Sequence, residues 1–386
     1  MSKVEQLLAK YNPDGVSPMK LGDVLDYEQP SKYIVTSSEY DDNYDIPVLT
    51  AGQSFILGYT DETDGVYKAS KNNPTIIFDD FTTGYHWVDF DFKVKSSAMK
   101  MLRLKTNKSI LRYVFHSMAL INYVSSEHSR QWISKYSQFE IPVPHIKVQE
   151  EIVEILDSFT NLIDALNEEL SLRQKQFEYY LDKFYNELFD KTKGVELLKF
   201  NELGSITRGK RFVRDDIREQ GQPCIHYGDM YTYYGVRADE AKTYLDRYFP
   251  KKMRYADNGD VIIVGAGENN WDIGVGLAWF GEEPAAVHDA CYIVKHNINP
   301  MFIAYYTRTT EYHQQLKKCV SEGKICSFSA KGLGKIVIPV PKDDAIQQSI
   351  VSKLDVFESL ITSLKEEIAL RQKQYEYYRE KLLTFN

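Results

Sequence analysis

Arg173-Gln174-Lys175-Gln176-Phe177-Glu178-Tyr179-Tyr180 and Arg371-Gln372-Lys373-Gln374-Tyr375-Glu376-Tyr377-Tyr378 differ at a single position and lie 198 residues apart in one chain of 386. Working outward at that offset, residues 149 to 183 share 20 of 35 positions with residues 347 to 381. Just upstream, Ile141-Pro142-Val143-Pro144 recurs as Ile338-Pro339-Val340-Pro341 at an offset of 197. Earlier still, Gly15-Val16 and Lys20-Leu21 match Gly194-Val195 and Lys199-Phe200 at an offset of 179. The chain is a tandem duplication. Because the offset grows from 179 to 197, the second intervening segment is 18 residues longer than the first, and the two share little sequence. The helices repeat, while the segments between them differ.

Helical physics is written into the repeated segment. Ile152, Leu156, Phe159, Ile163, Leu166, Leu170, Arg173, Phe177, Tyr180 and Phe184 alternate four and three apart, and Ile350, Leu354, Phe357, Ile361, Leu364, Ile368, Arg371, Tyr375, Tyr378 and Leu382 keep the same phase. No Pro or Gly interrupts residues 149 to 188, which predicts a continuous helix of about 40 residues. The paired prolines at 142/144 and 339/341 mark the helix entrances, and Gly194 marks an exit. Each seam packs against the other copy, with Arg173 and Arg371 fixing register, or the aromatic ends face another subunit.

The intervening segments, about 20 to 140 and 199 to 337, combine β-rich runs such as Thr75-Ile76-Ile77-Phe78 and Asp260-Val261-Ile262-Ile263-Val264 with helix-like stretches near 109–124 and 300–318. Each reads as an α+β globular domain. With 43% hydrophobic residues, 28 Tyr and 19 Phe, wholesale disorder is excluded. Apolar runs are far shorter than the ~18 residues of a membrane span, and the polar start MSKVEQLLAK has no secretory apolar stretch. No membrane association and a cytoplasmic location are the expectation. Four scattered cysteines without a C-x-x-C pair argue against a disulfide framework or structural zinc. The net charge of -8 argues against polyanion binding over the whole surface but leaves local clusters free to do so.

Several motifs fall short of catalysis. Gly204-Ser205-Ile206-Thr207-Arg208-Gly209-Lys210-Arg211 matches a phosphate-binding loop until Arg211 replaces the magnesium-binding hydroxyl. Val261-Ile262-Ile263-Val264-Gly265-Ala266-Gly267-Glu268-Asn269-Asn270 lacks the third glycine of a dinucleotide-binding turn. The Asn-Pro steps at 12, 73 and 299 lack the second Pro that an amino-methyltransferase uses to hold its target base. Glu322-Gly323-Lys324 is a two-letter match to metal-dependent nucleases without a companion motif, and Asp79-Asp80 and His288-Asp289 are more often structural pairs than acid/base centres. What persists is a basic turn, Arg208, Lys210, Arg211, Arg214 and Arg218 against Asp215 and Asp216, which is either a solvated loop or a phosphate contact.

Variable domain, long helix, different variable domain and the same helix again: this order resembles the DNA-specificity subunit of type I restriction-modification systems. The two Ile-Pro-Val-Pro entries, Gln149-Glu150-Glu151-Ile152-Val153 with Gln347-Gln348-Ser349-Ile350-Val351, and the paired Arg-Gln-Lys-Gln-aromatic-Glu-Tyr-Tyr runs carry the resemblance, which covers essentially the whole chain. It implies an α+β architecture of two target-recognition domains alternating with two long helices in an antiparallel coiled coil, with internal pseudo-twofold symmetry. The expected boundaries are an N-terminal segment 1–20, recognition domains 21–144 and 194–341, and helices 145–193 and 342–386. It further implies a non-catalytic reader of bipartite double-stranded DNA. Its partners would be two methyltransferase subunits and restriction (ATP-dependent translocase/nuclease) subunits. No cofactor would sit in this chain, and S-adenosylmethionine would belong to the methyltransferase. A coiled-coil scaffold for protein partners and a nucleotide-dependent enzyme are the rivals.

Candidate DNA contacts in the second domain are Arg208, Lys210, Arg211 and Arg214, with Tyr227, Asn269, Asn270 and Trp271 supplying stacking and hydrogen-bonding groups. The first domain is acidic over residues 26 to 80, and Lys93, Lys95, Lys100, Arg103, Lys105 and Lys108 supply its positive charge. There the candidates are Thr50 and Gln53 in one Gly-containing loop and Thr82, Thr83, Tyr85 and His86 in another. Candidate subunit contacts are Arg173, Tyr179, Tyr180, Arg371, Tyr377 and Tyr378.

Overall fold

The computed structural model describes residues 2–52, 54–123, 125, 129–190, 194–249, 251–267, 273–321 and 325–385. The repeated segments form helices of 44 residues, Ile146–Phe189, and 40 residues, Asp344–Leu383. Among the described residues, no helix is long and apolar enough to cross a membrane. Before each helix the proline-containing strands Glu140–Pro142 and Val337–Pro341 pair antiparallel with Pro18–Lys20 and Val195–Lys199. The registers correspond, Pro18 to Pro142 in one copy and Leu197 to Pro339 in the other, which are the offsets of 179 and 197 read from the sequence. Gly194 exits the central helix region at φ +81, a left-handed conformation that favours glycine.

The chain divides into two compact units, Met1–Leu166 with Glu367–Asn386, and Asn167–Glu366. In the first unit a four-stranded antiparallel sheet has the order Leu25–Glu28, Met99–Leu104, Thr75–Asp79, Tyr85–Val88. Its second sheet places Ile46–Leu49 between Ile56–Thr60, antiparallel, and Lys93–Val94, parallel. The second unit repeats this plan in different residues. Gly204–Arg208, Cys291–His296, Val261–Val264 and Gly276–Trp279 follow the same order and senses, and Gln222–Ile225 lies between Thr243–Leu245, antiparallel, and Ala285–Val287, parallel. Three short strands, Ile217–Arg218, Arg237–Ala238 and Tyr255–Ala256, are additions.

Both central strands are buried on two faces, which explains their continuous apolar runs. Ile76 and Phe78 enter one core and Ile77 another, just as Val261 and Ile263 separate from Ile262 and Val264. The helix-like stretch near 109–124 contains Leu111–Met118, and that near 300–318 contains two helices, Pro300–Tyr306 and Thr310–Lys317.

Each domain helix grips a long helix through equivalent contacts. In the first unit, buried His116 places Nε2 2.9 Å from Asp157 Oδ1 and Nδ1 3.0 Å from the Tyr375 hydroxyl. Arg112 donates to the same carboxylate at 2.7 Å. In the second unit Tyr305 donates to Asp355 Oδ1 at 2.7 Å, and its ring edge meets Phe177. Asp355 and Phe177 are the counterparts of Asp157 and Tyr375 at the 198-residue offset. Gln149 uses its whole amide: it accepts from Ser109 and from the Ile110 N–H and donates to the Lys108 and Pro144 carbonyls. Its copy Gln347 accepts from the Asn299 N–H and donates to Pro341 O.

Along the long helices, Phe159 stacks on Tyr378 in the first unit at 5.3 Å, and the symmetry-equivalent Phe357 stacks on Tyr180 in the second at 5.6 Å. Each helix thus meets the far end of the other, the pattern of an antiparallel pair. Arg173 and Arg371 do not reach across the seam as expected. Each bonds along its own helix, to Glu169 and Gln176 or to Glu367 and Gln374, because a carboxylate four residues away satisfies the guanidinium without desolvation. The heptad pattern also missed a second stripe, Leu181, Tyr185 and Leu188, which is buried against Phe302 and Tyr306 of the second domain.

Two outcomes follow. Gln149→Ala strands four buried partners and should lower unfolding stability by about 3 kcal/mol in a denaturant titration, a surface helix substitution such as Lys175→Ala by less than about 0.5. Burial pushes the His116 pKa down, so the folded protein refuses a proton that the unfolded chain accepts below its ordinary value near 6.5. Stability from this site is therefore present above that pH and declines as pH falls through it. Replacing His116 with Gln should reduce the slope of stability against pH between about 7 and 5.5, by up to ~1.4 kcal/mol per pH unit.

Candidate nucleic-acid interface

The 18-residue length difference is concentrated in two places. The connection after the strand Ile46–Leu49 is 6 residues, whereas that after its counterpart Gln222–Ile225 is 17. The hairpin joining Thr75–Asp79 to Tyr85–Val88 spans 5 residues and its counterpart 11. These two loops adjoin one another in both domains. In the first, a Cβ on Gly84 would come within 2.5 Å of Ala51 O, His86 Nε2 lies 3.0 Å from Gly52 O, and Phe55 stacks on the His86 ring. In the second, a Cβ on Gly267 would come within 2.7 Å of the Tyr231 hydroxyl, which donates to Ala266 O at 3.2 Å.

The sequence-selected residues of the first domain are thereby brought together, with differing freedom. Thr50 Oγ1 is turned inward, accepting from Gly52 N and donating to Ser54 O. Thr82 and Thr83 form the hairpin tip, with Thr83 at φ +61, a strained conformation for a β-branched residue. Tyr85 and His86 lie on the following strand, not in a loop, and burial raises the Tyr85 pKa as its ring packs edge-on to Phe115. Gln53, Asn269, Asn270, Trp271 and Glu322-Gly323-Lys324 lie outside the described residues.

In the second domain the basic turn lines a cavity of about 930 Å³ together with the helix Tyr227–Thr232 and the start of the longer hairpin. Arg208, Arg211 and Arg214 share its walls with Tyr227, Tyr231, His226, His288 and Gly267. Arg208 donates to Asp289 O at 2.5 Å and is held in place. Lys210, Arg211 and Arg214 are exposed, and among the described residues no carboxylate lies within ion-pair distance of them. Beneath them Phe212 is buried with its ring against His226 and His288, whose rings lie 4.7 Å apart. Burial holds both imidazoles below their ordinary pKa, and for His288 the neighbouring His226 adds to the effect. Each accepts a backbone N–H at Nδ1, from Gly228 and Ala290, so Nε2 is the protonated nitrogen of the neutral ring. Tyr227 and Tyr231 are 37% and 38% exposed at the rim. Tyr231, His226 and His288 were not among the sequence candidates. The tyrosine-rich run 227–234 was the available signal, whereas His288 arrives from another strand.

The near-miss motifs receive structural explanations. Gly204–Arg208 is a sheet strand paired from His296 to Tyr292, so the two motif glycines do not bracket a phosphate-cradling loop. Val261–Val264 continues into an antiparallel partner, not the parallel crossover of a dinucleotide fold. Asp80 is buried against Lys100 at 3.0 Å and accepts from Trp132 N. Among the described residues no cluster of His, Cys, Asp or Glu is arranged to hold a metal. Tyr179 and Tyr377 are about 60% exposed, while Tyr180 and Tyr378 stack within the chain.

A Cβ at Gly209 would lie 2.2 Å from His288 O and 2.3 Å from Val287 O, both rigid backbone atoms, so glycine is required where the turn crosses that strand. Gly209→Ala should cost about 2–4 kcal/mol in a denaturant titration and displace the basic turn. Wild-type stability in that variant would show that the turn is free to move.

The model of the type I restriction modification DNA specificity domain matches residues 13–172 and 192–370. A type I restriction enzyme specificity subunit of Escherichia coli is 40% identical over 412 residues, covering 100% of this chain and 97% of that one. Another from Methanocaldococcus jannaschii is 22% identical over 321 residues, covering 75% and 72%. In fold, the crystal structure of a type I restriction-modification S subunit from M. genitalium matches with a TM-score of 0.59 at 15% identity, over 96% of each chain.

Proposed function

The chain belongs to the type I restriction-modification DNA specificity family, and on that premise we propose that its two domains, residues 21–144 and 194–341, each read one half of a bipartite site in duplex DNA. The observation that carries this is the placement of the length difference. Two domains share one sheet order and sense, yet differ chiefly in two adjoining loops on the same end of that sheet. Recognition that varies while the scaffold persists calls for this division, because buried strands tolerate little change and exposed loops tolerate much. In the second domain, Lys210, Arg211 and Arg214 contact phosphate, and Tyr227, Tyr231 and the 265–275 hairpin, with Asn269, Asn270 and Trp271, meet base edges. In the first domain, the loop 50–55 and the hairpin with Thr82, Thr83 and His86 take the reading role.

The subunit itself is non-catalytic, and S-adenosylmethionine belongs to its methyltransferase partner. Two equivalent outward faces, Leu172 with Tyr179 and Leu370 with Tyr377, are exposed at 198-residue spacing and support two copies of that partner. Restriction subunits complete the assembly.

Exchanging residues 199–337 for the matching segment of a relative, then sequencing the methylated sites made by the assembled complex, tests this directly. One half of the methylated sequence should change and the other persist. Loss of both halves in an assembled, folded complex would contradict independent reading.

A further inference from the structure

A second cationic segment adjoins the basic turn. Residues 246–254, which follow the strand Thr243–Leu245, carry Arg247, Lys251, Lys252 and Arg254. Arg247 is neutralised by Glu283 at 3.0 Å. Lys251, Lys252 and Arg254 are exposed, with no carboxylate of the described residues within ion-pair distance. Backbone bonds tie the two segments to one residue: Lys210 N–H donates to Val287 O at 2.8 Å, and Val287 N–H donates to Arg254 O at 2.9 Å. The Arg254 guanidinium then donates to Arg208 O at 2.5 Å. Beneath both, Phe212 from the turn and Met253 and Phe249 from the segment share a small apolar core with Leu245 and Cys224.

The nearby acids do little to neutralise this surface. Asp216 and Asp246 cap backbone N–H groups of their own turns, at Val213 and Tyr248, and Asp289 lies 3.9 Å from Arg208 alone. Asp215 is exposed on the turn. In the first domain the balance is opposite. Lys93 pairs with Glu62, Lys100 with Asp80, Arg103 with Glu28 and Lys68 with Asp91, so four of its cations serve the fold.

We infer that Lys251, Lys252 and Arg254 extend the phosphate-contacting face of the second domain, and that this domain supplies the larger share of the chain's electrostatic hold on the duplex backbone. The inference rests on the DNA-reading role proposed above. Duplex DNA presents closely spaced phosphates along its axis, which a row of unpaired cations from two adjoining segments matches better than an isolated turn does. Such contacts carry register and affinity without base information.

The test compares three double variants of the assembled complex on duplex DNA containing its methylation site, across a salt series. Lys251→Ala with Lys252→Ala should lower the slope of log affinity against log salt by about 1.8, at ~0.9 per phosphate, and weaken binding on the order of a hundredfold near 50 mM salt. The methylated sequence should stay the same. Arg211→Ala with Arg214→Ala reports on the basic turn, and Lys71→Ala with Lys95→Ala on the first domain, whose slope should change by less than about 1. If the Arg pair flattens the slope and the Lys251/Lys252 pair does not, the inference fails while the DNA-reading role stands. An equal loss from the first-domain pair overturns the unequal sharing. If both second-domain pairs leave DNA binding intact but release a partner subunit, the face binds protein, and the DNA-contact assignment of this domain fails with the inference.

Discussion

Everything in this molecule hangs on how a domain is fastened to a long helix, and one aspartate position does the fastening twice. Asp157 holds His116 and Arg112, while Asp355, its copy, holds Tyr305. Beside each lies a glutamine, Gln149 or Gln347, whose buried amide fixes the start of the domain's own helix. Burial pushes the Asp157 carboxyl pKa up, but hydrogen bonds from His116 and Arg112 outweigh it and hold the group below its ordinary range. A buried acceptor so satisfied tolerates only one orientation of the domain helix, since any other leaves a polar group unpaired. The helix side of the joint is conserved between the copies, and the domain side changes chemistry, imidazole to phenol, while keeping a donor.

That joint lets the domains diverge. Their strands keep one order and one set of senses because each central strand is buried on both faces, where a shift of one residue would exchange the contents of two cores. The connections at one end of the sheet have no such obligation. They grow from 6 to 17 residues and from 5 to 11, and the longer versions enclose a cavity lined with tyrosine, histidine and arginine. A family that must recognise many sequences with one scaffold places its variation where packing does not oppose it.

Charge follows a similar division. The chain is acidic overall, at -8, yet the second domain concentrates unpaired cations on one face, and the first uses several of its own in buried or half-buried ion pairs. Lys100 and Asp80 are both almost completely buried, so either alone would be an uncompensated charge in the core. Net charge therefore says little about where a polyanion is held. What matters is which cations have partners.

The duplication, the helix lengths, the proline entrances and the β-rich runs were legible in the sequence because each depends on local periodicity or on repeated identity. The pairing of Phe159 with Tyr378 and of Phe357 with Tyr180 was implied by the shared heptad phase, although the sequence left open whether those rings met within the chain. Other features needed the fold. That two dissimilar segments adopt the same sheet order could not be read, since a strand's partner depends on long-range pairing and not on its own residues. The outward Arg173 and Arg371 followed from a competing carboxylate one turn away. The cluster around Phe212 joins residues 208–214, 226–231, 251–254 and 287–289, which are dispersed in the chain and converge on two strand edges. Sequence determined what repeats, because repetition and helical phase are properties of neighbouring residues. Only tertiary structure decided which side chains share a surface, because sheet register and burial bring together residues that local chemistry does not connect.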